Sequence, residues 1–445
     1  RAPGPSVGGA VEASSAPPMA GRLLPRPCGA GRISASATSP SKGRGSLLGA
    51  LAGSRPIAPG SPKKAFEDDD IHSQCSTKVS TSCGDRDRPS IGTLVGDLPS
   101  SLASPCSSRR SSHSSAWQPD VRIRSWELKD FNVIKTVGKG FLGSVRVVEL
   151  ADGSDSTPFA LKVMKKSVVI RKKQVNHTMQ EKNLLGQVDN PFIVQLRAAF
   201  QDSANLYLLM EFVNGGELFT AVRNGLRFKN DGAKFYASEI ALALGHCHGR
   251  GIAYRDLKLE NVLVDRSGHV KIADFGFAKI VGRSLTYTLC GTPDYQAPEI
   301  ILGHGHDMSV DWWALGVLIF ELFTGKTPFG ASDSKAIYEK TLFGEPRYPS
   351  FFTANCQNIT SRFLEKDRRF RLGFGSAGFE DVKHHPWLAS VDFEFVLQKQ
   401  YQPPYLPTVA TDRDTCMFDP WPEEDIRSSD SSDLTAEQQL LFKDF

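Results

Sequence analysis

Asp256, Lys258 and Asn261 stand in one short run, Tyr254-Arg255-Asp256-Leu257-Lys258-Leu259-Glu260-Asn261, and a further carboxylate heads Asp274-Phe275-Gly276. These residue types suit phosphoryl transfer. That reaction asks little covalent chemistry of a protein; it needs a hydroxyl held in line and the phosphate charge neutralised. Asp256 can orient the hydroxyl or accept its proton. Lys258 can neutralise the moving phosphoryl group. Asn261 and Asp274 offer the oxygen ligands that Mg²⁺ favours.

Such a site needs a nucleotide platform, and an upstream segment could supply one. Gly138-Lys139-Gly140-Phe141-Leu142-Gly143-Ser144-Val145 fits G-x-G-x-x-G-x-V, inside a stretch from Phe131 to Leu150 that reads as a two-stranded hairpin. A glycine triplet alone also occurs in plain turns. This one sits between strands, not ahead of a helix, which argues against a dinucleotide fold. Its glycines let backbone N–H groups approach phosphates. Phe159 to Met164 reads as a third strand carrying Lys162, and Lys172 to Leu185 as a helix carrying Glu181, its natural partner. The bland alternative for that pair is a surface ion pair of little worth. Leu206 to Met210 reads as a buried strand, Phe235 to Cys247 as a helix, and Asp311 to Leu322 as a helix apolar nearly all round. Strands first and helices after predict an α+β protein with a sheet lobe and a helical lobe.

The 445 residues allow one large two-lobed domain plus flanks. A net charge of +4 gives no argument for nucleic acid. The eight cysteines form no C-x-x-C pair, which disfavours zinc and suits a reduced intracellular setting. No apolar run is long enough for a membrane span. The chain begins at Arg1, which points to a piece of a longer product. Residues 1 to about 120 are rich in Ser, Ala, Gly, Pro and Arg, and predict a disordered flank. Glu12 is the sole acidic residue before Glu67, so an organelle transit segment is the other reading. Within the flank, Arg109-Arg110-Ser111-Ser112 fits R-R-x-S, by chance or as a self-phosphorylation site.

In this order the motifs resemble the eukaryotic protein kinases, over about Phe131 to Trp387 and on through the tail to Phe445. Thr288 to Glu299 resembles an activation segment ending in Ala297-Pro298-Glu299. Asp311 to Gly316 resembles the helix that braces the catalytic loop, and Glu299 with Arg371 a buried ion pair. Tyr254 in place of His, with Phe442-Lys443-Asp444-Phe445, points to the AGC group. Within it the helix Gln174 to Lys182 is most similar to that of the cAMP-dependent catalytic subunits. The resemblance implies a bilobal kinase fold: a small lobe over 131–211, a large lobe over 212–387 and a tail over 388–445. It implies a Ser/Thr kinase using ATP and Mg²⁺ on basic protein substrates, cytoplasmic or nuclear, with a cyclic-nucleotide-binding regulatory subunit as partner. Asp256 and Lys258 would be catalytic, and Asn261 and Asp274 would hold the metal. Nucleotide would meet Val137, Gly138, Gly140, Gly143, Val145, Ala160, Lys162, Glu181, Met210, Glu211, Val213, Glu217, Leu263 and Phe418.

Glu217, Glu260 and Glu321 match acidic positions that take arginines upstream of the target hydroxyl, since guanidinium pairs with carboxylate as a fork. The plain alternative is three solvated glutamates. Leu289, Pro293 and Gln296 match the pocket for the residue after the phosphoacceptor; Gln296 replaces a leucine, implying a weaker hydrophobic demand there. Thr288 matches an activating phosphosite with Arg255, Lys279 and His177 as its basic partners, and Ser429 a tail phosphosite. Phe141 and Leu142 replace a Ser-Phe loop tip, and Leu259 replaces a proline. The catalytic half of a cGMP-dependent kinase and a pseudokinase scaffold are the alternatives. The helix around His177 and the Phe-x-x-Phe end argue against the first; the presence of Lys162, Asp256, Asn261 and Asp274 argues against the second.

Overall fold

The computed structural model describes residues 126–282, 284–424, 426 and 434–445. The predicted flank, Ser112 and Ser429 lie outside the described residues.

Five antiparallel strands form the first lobe: β1 (Phe131–Lys139), β2 (Gly143–Leu150), β3 (Phe159–Lys165), β4 (Leu196–Gln201) and β5 (Asn205–Glu211), in the order β1-β2-β3-β5-β4. Strand residues alternate between faces. Leu161 and Val163 therefore join Phe131, Val148, Phe200, Tyr207 and Leu209 in a core on one face. The register sets Val145 opposite Lys162 and Gly138 opposite Val145, which brings the glycine turn to the lysine. Gly143 is needed for another reason: a Cβ there would lie 1.8 Å from the Val163 carbonyl oxygen. It lets β2 close on β3, whereas a Cβ at Gly138 or Gly140 would meet its nearest neighbour at an ordinary 3.9 Å.

Two helices follow β3, not one. α1 (Lys166–Arg171) ends in a turn where Lys173 takes φ of 56°, and α2 (Val175–Leu185) begins after it. The single helix expected from Lys172 is thus shorter, and α1 and β4 are additions to the elements that the sequence predicts.

The second lobe is mostly helical. α3 (Leu218–Arg223) and α4 (Asn230–His248) precede two small ribbons, in which β6 (Ile252–Ala253) pairs with β9 (Lys279–Ile280) and β7 (Val262–Val264) with β8 (Val270–Ile272). Then come α5 (Pro298–Ile301), α6 (Ser309–Thr324), α7 (Ser334–Phe343), α8 (Ala354–Phe363), α9 (Phe379–Lys383) and α10 (Phe393–Leu397), while α11 (Ala436–Leu440), in the tail, returns to the first lobe, where its Gln439 bonds Lys166. α6 is buried along nearly its whole length, as its all-round apolar sequence requires, and ends at Gly325 in the left-handed region.

Arg371 and Glu299 fasten the start of α5 to the interior. Arg371 donates to both Glu299 oxygens at 2.6 and 2.9 Å and to the Ser309 carbonyl at 3.2 Å, with its guanidinium over the Trp313 ring. Both side chains are buried. Replacing Arg371 with methionine leaves a carboxylate without its counter-charge, so unfolding in urea should cost about 3–5 kcal/mol less. Adding Glu299→Gln should restore part of that loss. A stability within about 0.5 kcal/mol of wild type would show the pair to be dispensable.

Candidate active site

Lys162 donates to Glu181 Oε1 at 2.6 Å and to Asp274 Oδ1 at 3.4 Å, so β3, α2 and the Asp274 turn meet at one ammonium group. Burial opposes its charge, but the two carboxylates outweigh that and push the Lys162 pKa up. Burial pushes Glu181 up, against the pull of Lys162. Lys162 in turn holds Asp274 below its ordinary value. Asp274 has φ of 58°, a left-handed conformation rarely adopted outside glycine, and its Oδ1 also accepts the Gly276 N–H at 3.1 Å.

Asp256 lies beside this group. Lys258 Nζ stands 3.1 Å from its Oδ2, and Asn261 Nδ2 donates to Oδ2 at 2.8 Å and to the Asp256 carbonyl at 2.9 Å. Burial pushes Asp256 up and Lys258 opposes it, while Asp274 adds a further upward push. Two neighbouring carboxylates thus have affinities for protons moved apart, the arrangement that separates a proton acceptor from a fixed anion. The two runs are stitched together: Ala273 N–H donates to the Asn261 carbonyl at 2.8 Å, and the Tyr254 hydroxyl donates to the Ala273 carbonyl.

Two supports go beyond what the sequence predicts. Lys258 donates to Thr292 Oγ1 at 3.0 Å, which stands 3.5 Å from Asp256 Oδ1, so a threonine of the later segment bridges the catalytic run. Asp311, fully buried on α6, accepts the Tyr254 and Arg255 N–H groups at 2.9 and 2.7 Å and contacts His248 at 2.8 Å. It anchors a backbone in which Arg255 takes φ of 68°. The sequence predicts the helix as a brace; this one side chain does the bracing.

Beside the glycine turn, Val137 and Ala160 are buried and Val145 half-buried. Met210 lies opposite both Ala160 and Leu196. Val213 is buried, and Phe418 stacks obliquely on Phe212 with ring centroids 5.7 Å apart. Leu263 bridges to Glu217. The Glu211 carboxylate is engaged through Oε1, with Lys271 at 2.8 Å and the Gln195 N–H at 2.9 Å.

The three glutamates are linked electrostatically. Burial, then the charges of Glu260 and Asp419, push Glu217 up. Burial also raises Glu321 to about 7; a hydrogen bond from the Tyr295 hydroxyl opposes this and Glu260 adds to it. Gln296 lies deeper than Leu289 and Pro293. It is buried, and its amide donates to the Cys290 and Gly291 carbonyls at 3.0 and 2.9 Å, so it shapes the loop from within. Leu289 is exposed, and Pro293 opens a 3₁₀ turn.

Thr288 shares an open pocket with His177, Arg255 and Lys279. Burial, then Arg255 and Lys279, hold His177 below its ordinary value. This collection of cations is one that an anion would relieve.

Asn261 and Asp274 fit a hard cation. The Asn261 amide nitrogen is occupied, which leaves its oxygen as the ligating atom, and Asp274 is a firmly ionised carboxylate. Among the described residues no group of three His, Cys, Asp or Glu could hold a metal by itself. A two-ligand site completed by phosphate oxygens is how proteins usually hold Mg²⁺.

A two-lobed body with a lysine–glutamate pair, a metal-competent aspartate and a second aspartate in one cleft has the make-up of a phosphotransferase. Residues 131–388 match the protein kinase domain. A cAMP-dependent protein kinase catalytic subunit of Arthrobotrys oligospora is 47% identical over 67% of this chain and 57% of its own length. The cAMP-dependent protein kinase type 3 of Saccharomyces cerevisiae is 43% identical over 68% and 75%, and the human cAMP-dependent protein kinase catalytic subunit PRKX 46% over 67% and 83%. The chain belongs to the protein kinase family and resembles the cAMP-dependent catalytic subunits of its AGC group. It spans about half the length of two curated relatives it matches, those of Arthrobotrys oligospora and Dictyostelium discoideum.

Proposed function

We propose that the chain transfers the γ-phosphoryl group of ATP to serine or threonine in protein substrates with arginines upstream of the target. The observation that carries this is the convergence of Lys162, Glu181 and Asp274 beside Asp256, Lys258 and Asn261. Lys162, oriented by Glu181, holds the nucleotide phosphates. Asp256 orients the substrate hydroxyl and takes its proton, and Lys258 offsets the charge on the transferring group. Asn261 and Asp274 hold magnesium, which supplies charge neutralisation on the phosphates when bound. Glu217, Glu260 and Glu321 take the arginines. Residues 131–387 act as the catalytic domain and 388–445 as its tail.

The regulatory side of the reading has Thr288 carrying an activating phosphate and a cyclic-nucleotide-binding subunit as partner, in the cytoplasm or nucleus. Among the described residues no helix is long and apolar enough to cross a membrane.

Phosphate transfer to an Arg-Arg-x-Ser peptide, with Asp274→Ala as control, tests the activity. Wild type should exceed the variant by about a thousandfold or more, since the variant loses both a metal ligand and the Lys162 partner. A folded wild-type protein no faster than the variant would mark the chain as a scaffold. Repeating the assay with a regulatory subunit, with and without cAMP, tests the partner: inhibition relieved by cAMP is expected.

A further inference from the structure

The glycine turn carries an unusual apolar tip, and the structure holds it in two ways. Leu142 packs against the cluster of Met164, Val169, Leu206, Leu208 and Phe442. Phe141 remains 63% exposed, yet the Lys172 ammonium sits 3.5 Å from its ring centroid and donates to its carbonyl oxygen at 2.9 Å. One cation therefore grips both the side chain and the backbone of one residue. Lys172 is itself fixed. It caps the end of α1, its N–H bonding to the Val168 carbonyl at 2.9 Å, and its own carbonyl accepts the Gln174 amide at 3.1 Å. Gln174 bonds in turn to His177 in the first turns of α2, the helix that carries Glu181.

We propose that Lys172 is a positioning residue, a clasp that holds the tip of the glycine turn to the α1–α2 junction and so pre-orders the turn for the nucleotide. The inference rests on the reading of this cleft as an ATP site and adds a device specific to this tip. Phe141 supplies the ring, and only a long cation at position 172 can reach ring and carbonyl together. A turn already held in place loses less conformational freedom when it closes on phosphates, so the clasp strengthens nucleotide binding without touching the nucleotide. It also slows nucleotide departure, a step that limits turnover in many enzymes.

Lys172→Met keeps the length and the helix propensity but removes the charge and the donor. We expect the KM for ATP and the dissociation rate of Mg-ADP, followed by stopped flow with a fluorescent analogue, to rise about five- to tenfold. The kcat should hold or rise. Lys172→Arg, which keeps the donor and the cation–ring contact, should restore both values to within about twofold of wild type. In a Phe141→Ala background, Lys172→Met should have a smaller effect. A KM and off-rate unchanged or lowered by Lys172→Met would overturn the clasp. So would a parallel fall in kcat and melting temperature that arginine fails to rescue, because that is the mark of a merely structural residue. Wild-type protein that does not bind Mg-ADP at all would instead overturn the nucleotide reading on which the clasp rests.

Discussion

Replacing Asp256 with asparagine should lower kcat by about 10²–10⁴-fold and leave the KM for ATP within about twofold. The substitution keeps the shape of the side chain, and its neighbours Asn261, Lys258 and Thr292 remain to hold it. What disappears is the carboxylate that can receive a proton. In this chain that carboxylate is well suited to proton transfer, because burial pushes its proton affinity up and Lys258 keeps the rise in check. The nucleotide-side contacts run through Lys162, which bonds to Glu181 and Asp274 and not to Asp256. Steady-state phosphorylation of an Arg-Arg-x-Ser peptide separates the possibilities. A variant with full kcat and a raised peptide KM would make Asp256 a substrate-binding group, not the acceptor in the reaction.

Glu321→Gln should make the protein more stable and less selective at once. In the folded chain the Glu321 carboxyl is raised to about 7 by burial, with Glu260 adding repulsion against the opposing Tyr295 hydrogen bond. Its reference value is 4.5, so the folded state binds the proton more tightly than the unfolded state between those limits. Stability from this group is therefore full below about 4.5, declines as pH rises, and is gone above about 7. At pH 8 the glutamine variant escapes the cost of a buried charge and should gain about 1–3 kcal/mol in urea unfolding.

The same variant should lose about ten- to a hundredfold in kcat/KM on a substrate whose upstream arginine meets Glu321, and little on a peptide lacking that arginine. In wild type the preference for arginine should weaken between pH 8 and pH 6, as the acceptor becomes protonated. Binding of the double-arginine peptide near pH 7 should also release protons, readable as a calorimetric heat that depends on the buffer. A preference flat across that pH range would remove Glu321 from arginine recognition.

The parts of the site that were legible in the chain are those whose chemistry is confined to a few consecutive residues. The glycine turn, Lys162 on a strand, and the runs around Asp256 and Asp274 each carry their meaning locally, because strand register and turn geometry follow from neighbours. The Lys162–Glu181 pair could be anticipated because one strand and the next long helix had to face each other. The rest depends on residues far apart. Thr292 reads as one member of a loop until the fold sets it against Lys258 and Asp256. Gln296 carries a polar label that says nothing about which way its amide turns. α1 is hidden in the sequence because Val168, Val169 and Ile170 are β-branched and favour strands, and only packing of Val169 against Leu206 and Leu208 makes a helix there. β4 is hidden because Leu196–Gln201 lacks a clean alternation of apolar and polar residues.

The stretch beyond residue 388 reaches back to the first lobe at widely separated points. Glu423 accepts the Thr136 N–H and hydroxyl at 2.7 and 2.6 Å, and Glu424 pairs with Lys139 at 2.7 Å, both beside the glycine turn. Phe442 is fully buried among Met164, Val169, Leu206 and Leu208, with Lys166 bonded to Gln439 at 2.8 Å. An excised 131–388 piece would therefore bare an oily dent on its sheet and strand a buried lysine, and it should clump where the longer chain stays dispersed. Kinship in sequence and self-sufficiency in folding draw different borders on this polypeptide, and expression work should follow the second.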